Sequence, residues 1–378
     1  MRDRAAEYER MAQVLDYERR IAIPVIRQLL TMPSIPSRPH SQSWINAGMV
    51  FELADAVRES VNETPDRREQ IAELATAIAA KLDDTYPQIT RSQCVAQAWK
   101  ELANIRRYRS NYDAALEALD RADEALRDHL ALAHDKAVID LARATTLREL
   151  RRTDEARRLL RDAIDVFEGH ADKGRVAQCE LLVGMIEHTA HAYDSAYASY
   201  QRAARGARIA GDARTAASSY INIGVLDAER GATSSAMDAL QQALSIFRDD
   251  GNLVEMARAN RGVGLALLTG GKYELAIRVL RAARGAFLNI GFAEEAGLVG
   301  LELAEAYIAD DRRAAAQRLI LAVIEEFRAA KLNERALASL AYLRERGDAS
   351  SRELVRHVRS YLVRLRQEPA LLFLPPDE

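Results

Sequence analysis

Small and large apolar residues return along this chain at a spacing of forty. Gly224 is followed twelve residues later by Ala236, then by Leu240 four further on and Ala243 three beyond that. The same order comes back at Gly264, Ala276, Leu280 and Ala283, and precedes it at Gly184, Ala196, Tyr200 and Ala203. Aligned on the second position, six copies pass through Ala115, Ala156, Ala196, Ala236, Ala276 and Ala316, separated by 41, 40, 40, 40 and 40 residues. The first position is always small: Ala103, Ala144, Gly184, Gly224, Gly264 and Ala304. The third is always large: Leu119, Leu160, Tyr200, Leu240, Leu280 and Ile320.

Within a copy the apolar residues keep helical spacing. In "AMDALQQAL", Ala236, Leu240, Ala243 and Leu244 fall on one face of a helix. Breakers separate the helices: "ERGATS", "TGGKY" and "ADDRR" inside a copy, "AGDA" and "DDGN" between copies. Each copy is therefore a helical hairpin. Its small first-helix residue lets the second helix approach, and its alanines let the next hairpin dock. The pattern predicts an all-α solenoid of stacked antiparallel helical hairpins, in which each unit packs only on its neighbours.

Trp99, Leu102 and Ala103 in "WKELA", with Tyr112 and Ala115 beyond them, resemble the first-helix and turn consensus of the tetratricopeptide repeat. That family's usual unit has about 34 residues. The longer unit here is similar to that of peptide-sensing bacterial regulators of the Rap type. The resemblance covers roughly residues 88–330 and implies a right-handed α-solenoid whose first helices line a concave, protein- or peptide-binding face. The expected domains are an N-terminal helix and Pro/Ser-rich linker over 1–43, a degenerate capping hairpin over 44–87, six repeats over 88–330, and a shortened hairpin with its tail over 331–378. In the last segment Ser350 and Glu353 have capping-box spacing. Pro369, Leu371 and Phe373 resemble a tail shared by a group of bacterial tetratricopeptide proteins, some of which carry a DNA- or zinc-binding module in front. Such a module has no room here, which argues against direct DNA binding.

Composition adds exclusions. No apolar run reaches eighteen residues and the amino terminus is charged from Arg2, so neither a membrane span nor a signal peptide is expected. Two distant cysteines, Cys94 and Cys179, suit a reducing cytoplasm. A net charge of -3 provides no general attraction to nucleic acid.

Motifs for chemistry are missing. There is no P-loop, dinucleotide glycine motif, nucleophile elbow or zinc spacing. His188 and His191 have no third ligand at a metal-site spacing, and "RGD" at 346–348 reads as a turn. The expectation is a non-catalytic protein without cofactor or metal. Arg352, Arg356 and Arg359 share one face of the last helix, opposite Leu354, Val355, Val358 and Leu362, which should face the array.

The alignment also selects residues for the first-helix face. They are Gln97, Lys100, Asn104 and Arg107; Leu181, Met185 and His188; Ser218, Asn222 and Val225; Arg258, Arg261, Leu265 and Leu268; and Leu301, Glu305 and Ile308. Lys100 and Asn104 match the opening pair of the family's carboxylate clamp, but Thr145, Leu181 and Met185 depart from the rest of it. Asn222 with Arg258 and Arg261 resembles the lining that peptide sensors turn toward a ligand. An amide can satisfy a peptide N–H and C=O together, and guanidinium suits a carboxylate.

Overall fold

The computed structural model describes residues 2–329, 334–345, 352–367 and 371–376, and these contain no strand. The architecture is an all-α helical-repeat solenoid, built as two compact units. Unit 1 comprises residues 1–148 and 152–170; unit 2 comprises residues 149–151 and 171–378.

Unit 1 begins with α1 (Arg2–Thr31), folded along α2 (Ala47–Glu59), and α3 (Pro65–Ala79) completes the degenerate hairpin. Ala22, Ile26 and Leu29 bury the inner face of α1. A Cβ on Gly48 would lie 2.4 Å from Glu18 Cβ and 2.5 Å from the Arg19 nitrogen, so the crossing of α1 and α2 requires glycine. The proline-rich connector is tied down as well: Ile35 N–H donates to Gln70 Oε1 at 3.1 Å, and Arg67 donates to the Leu30 carbonyl at 2.6 Å. Then come α4 (Gln88–Tyr108), α5 (Tyr112–Leu126), α6 (Ala133–Glu149) and α7 (Thr153–Gly169), the first two repeats.

Unit 2 holds the other four. They are α8 (Lys173–Thr189) with α9 (Tyr193–Ala210), α10 (Ala213–Glu229) with α11 (Thr233–Asp249), α12 (Leu253–Thr269) with α13 (Tyr273–Ile290), and α14 (Ala293–Ala309) with α15 (Arg313–Ala329). The periodic small residue does what its spacing implied. A Cβ on Gly224 would fall 2.6 Å from Leu240 Cγ, and one on Gly264 2.5 Å from Leu280 Cδ2. Turns repeat too. In each the chain takes one left-handed residue, and the next N–H bonds back across the helix end, as from Ala232 to the Asp227 carbonyl (2.8 Å) and from Lys272 to Leu267 (2.8 Å). Asp172, Asp212 and Asn252 then cap α8, α10 and α12 through their side chains.

The array ends on α16 (Glu334–Glu345) and α17 (Arg352–Gln367), and α17 packs beside α14. Leu354, Val355, Val358 and Leu362 are buried there, as their spacing predicted. The tail is pinned by Phe373, whose ring lies 5.0 Å from Tyr361 and 5.4 Å from Tyr342, while Tyr361 O–H donates to the Leu371 carbonyl at 3.0 Å. The "RGD" stretch, Ser350 of the capping-box match and Pro369 of the tail lie outside the described residues.

Candidate functional site

In unit 2 the first helices α8, α10, α12 and α14 pack in succession. On one face of them lie Met185, Asn222 and Leu265, all half-buried, with Leu181, Ser218 and Val225 alongside. Asn222 Nδ2 donates back to the Ser218 carbonyl at 2.8 Å, one turn earlier, and its side-chain oxygen has no partner among the described residues. Arg258 adds a half-buried cation to the same face, braced by Glu255 at 2.5 Å. Together they form a mainly apolar strip with one amide and one guanidinium, able to take a polypeptide segment by burial and a few polar contacts.

Other residues of the predicted lining are turned to internal work. Arg261 forms a fork on Glu302 at 2.6–3.0 Å. Glu302 and Glu305 are buried at 1% and 2% exposure on α14. Arg356 reaches Glu305 at 2.5 Å, Arg352 reaches it at 3.3 Å, and Arg359 lies 3.5 Å from Glu305 and 3.7 Å from Glu302. The reading of Glu305 as a groove residue therefore gives way. Its carboxylate is buried under α17, whose arginine face supplies the counter-charge. Leu268 and Leu301 are core as well.

Unit 1 behaves alike. Lys100 is buried and holds Glu101 at 2.7 Å; Arg58 reaches the same carboxylate at 2.8 Å, and Asn104 donates to it at 3.2 Å. Lys100 is thus a structural cation instead of a groove residue, because a buried Glu101 beside it demands a partner. Arg107 stacks on the neighbouring Tyr108 ring at 4.6 Å. Burial of Glu101 acts to raise its pKa, yet Lys100 and Arg58 outweigh it and hold the carboxyl below its ordinary range. A depressed folded-state pKa contributes stability that is complete above the unfolded value and is lost as pH falls through the folded one. Glu101→Gln should therefore melt below the parent from pH 7 down to about 5, with the gap narrowing below about pH 4. Melting curves across that range check it; a gap that widens with acid would refute the assignment.

His188 is also occupied, with Nε2 2.9 Å from Glu229 and Nδ1 3.3 Å from the Tyr200 hydroxyl, and His191 lies 2.9 Å from the Tyr193 hydroxyl. Among the described residues no group of three or more His, Cys, Asp or Glu side chains is placed to hold a metal, and no helix is long and apolar enough to cross a membrane. Cys94 and Cys179 are fully buried, and burial pushes both thiols up to about 12, so neither is a reactive thiolate at neutral pH.

No family model matches the chain, and no curated protein matches it. Solved structures do. A Rap protein in complex with competence and sporulation factor superposes with a TM-score of 0.59 at 14% identity, over 96% of this chain and 99% of that one. The aspartyl phosphate phosphatase F of Bacillus subtilis gives 0.54 at 16% identity, over 96% and 94%. The apo form of RapI gives 0.53 at 14%, over 73% and 99%. At such identities the likeness is one of fold.

Proposed function

We propose that this chain, built as a tetratricopeptide-like helical-repeat protein, is a non-catalytic adaptor that holds a protein or peptide segment on the first-helix face of unit 2. The observation that carries this reading is the strip of Met185, Asn222, Val225 and Leu265. It stays half-exposed, and the Asn222 amide oxygen has no partner among the described residues, while Arg261, Glu302 and Glu305 are committed to internal pairs. Arg258 is the guanidinium best placed for an acidic group on the segment. The role is regulatory, and the cytoplasm is the compartment that the two buried thiols suit.

Recovery of the tagged chain from its own cells, alongside an Asn222→Ala/Arg258→Ala variant, tests the reading. The expected result is loss of about nine-tenths of a specific partner with melting unchanged, as for removal of polar contacts at an interface centre. A partner retained in full would move the site off this face.

A second reading, a regulator that responds to a peptide, is favoured by one comparison: the Rap structure holds competence and sporulation factor. It differs in requiring a change of shape on binding, which small-angle scattering with and without the partner segment would register.

A further inference from the structure

The repeats are not equivalent on their second helices. Between α9 and α11, with α10 as the floor, two hollows of 340 and 570 Å³ run into one another, sharing Arg208, Tyr220 and Gln242. The repeat alignment shows what differs around them. Phe167, Phe247, Phe287 and Phe327 are buried at one position of successive second helices, and α9 alone of these places an alanine there, Ala207. Tyr220 leans into the vacated space, packing with Ala177, Ala207 and Ala216. On the opposite wall α11 has Ala239 where α7 has Leu159.

Unit 1 contains the equivalent hollow between α5 and α7, and there the chain satisfies itself: Arg143 crosses to Asp120 at 2.6 Å. In unit 2 those two positions are Ile223 and Gln201. The floor becomes apolar and the crossing ion pair disappears. Two exposed cations, Arg205 and Arg208, stand along the α9 wall with no ion pair or hydrogen-bond partner among the described residues. Asp238, on the other wall, sits toward the opposite end. From Tyr197 to Arg208 the cleft is about 16 Å long at the rise of a helix, the span of about five extended residues.

We propose that this cleft is a second docking site, for a short segment of a partner protein that lays apolar side chains on Tyr220 and Ile223 and sets carboxylates against Arg205 and Arg208. The charge order gives the segment a direction, with its acidic end toward Arg208. On α10 the floor residues Tyr220 and Ile223 lie on the side opposite Ser218, Asn222 and Val225, since two residues advance a helix by about 200°. On α10 the cleft floor therefore points away from Asn222, which the first-helix face uses.

Selection of a displayed library of random twelve-residue peptides against the whole chain tests the assignment. Enriched peptides should combine aliphatic or aromatic residues with two or more acidic ones. They should lose about tenfold or more in affinity to Arg205→Glu/Arg208→Glu, two exposed positions whose reversal creates like-charge opposition. Ala239→Leu, which restores the side chain of the unit 1 position, should also block them. Asn222→Ala/Arg258→Ala should leave them bound. Peptides without acidic residues, or bound equally by the charge-reversed variant, would overturn the proposal. So would peptides lost only with Asn222→Ala/Arg258→Ala, which would belong to the first-helix face. If nothing is enriched the proposal also fails. If sedimentation then shows a dimer that the charge reversal dissolves, the cleft is occupied by a second copy instead.

Discussion

Gly224→Leu should lower the melting temperature of unit 2 by ten degrees or more, or leave it unfolded. A Cβ alone at this position would sit 2.6 Å from Leu240 Cγ and 3.0 Å from the Ala236 carbonyl oxygen. Leu240 is fully buried and cannot swing away, and the carbonyl belongs to the α11 backbone. Replacing a helical glycine gains at most about 1 kcal/mol of helix propensity. Overpacking a filled core costs about 1–3 kcal/mol for a few extra methylenes, and a leucine adds four carbons against backbone. The clash wins. α10 would have to move away from α11, and it also packs on α9 and α12, so the disturbance spreads to both neighbouring repeats. Gly224→Ala should fall between parent and leucine variant. Calorimetry or far-UV melting decides the matter, and a leucine variant that melts with the parent would mean that this position does not face α11.

That the clash could be placed from the alignment alone shows where the chain is legible. A solenoid writes each contact six times, so a small residue twelve before an alanine identifies both helices and the face each presents. Helix ends were legible for the same reason, since the breakers recur and the αL turn residue is Gly231 or Gly271 in some repeats and His191 or Asp311 in others. The folding back of α1 was not. Its apolar residues predict a helix, but the contact that seats it is a helix crossing at Gly48, and nothing in a single copy of that contact distinguishes it from any other glycine.

The candidate site was less legible, for an electrostatic reason. Periodicity tells which face of its own helix a residue occupies, and Asn222, Met185 and Leu265 are half-buried on α10, α8 and α12. It does not tell whether a charged residue on that face meets water or another charge. Lys100 and Glu305 carry the right spacing for a lining, yet each is consumed by an oppositely charged side chain, Lys100 by its sequence neighbour Glu101 and Glu305 by arginines about fifty residues away. One signal was available. Arg352, Arg356 and Arg359 share a face, and the acids Glu302 and Glu305 share another at compatible spacing. The α9–α11 cleft is likewise visible only by comparing copies, where Ala207 stands at a position that the other second helices fill with Leu126 or a phenylalanine.

The same network supplies the second large effect. Arg261→Met should destabilise unit 2 by about 3–5 kcal/mol, the usual result of stripping one partner from a buried ion pair. Glu302 has 1% exposure and, among the described residues, would retain only Arg359, at 3.7 Å, in place of the fork at 2.6–3.0 Å. Arg261 itself is about one-third exposed, so removing the other partner is milder: in Glu302→Leu the guanidinium can turn toward water. The double variant Arg261→Met/Glu302→Leu should then be less damaging than Arg261→Met alone, because a leucine among the buried apolar residues of α14 needs no counter-ion. Such recovery, with an interaction energy of about 1–3 kcal/mol in the double-mutant cycle, is the signature of a coupled pair. Arg359→Met on the Arg261→Met background should lower stability further, since it removes the remaining cation that pairs with Glu302 among the described residues. Urea unfolding of the four variants measures all of these differences. Additive losses across the cycle would show that Arg261 and Glu302 act independently.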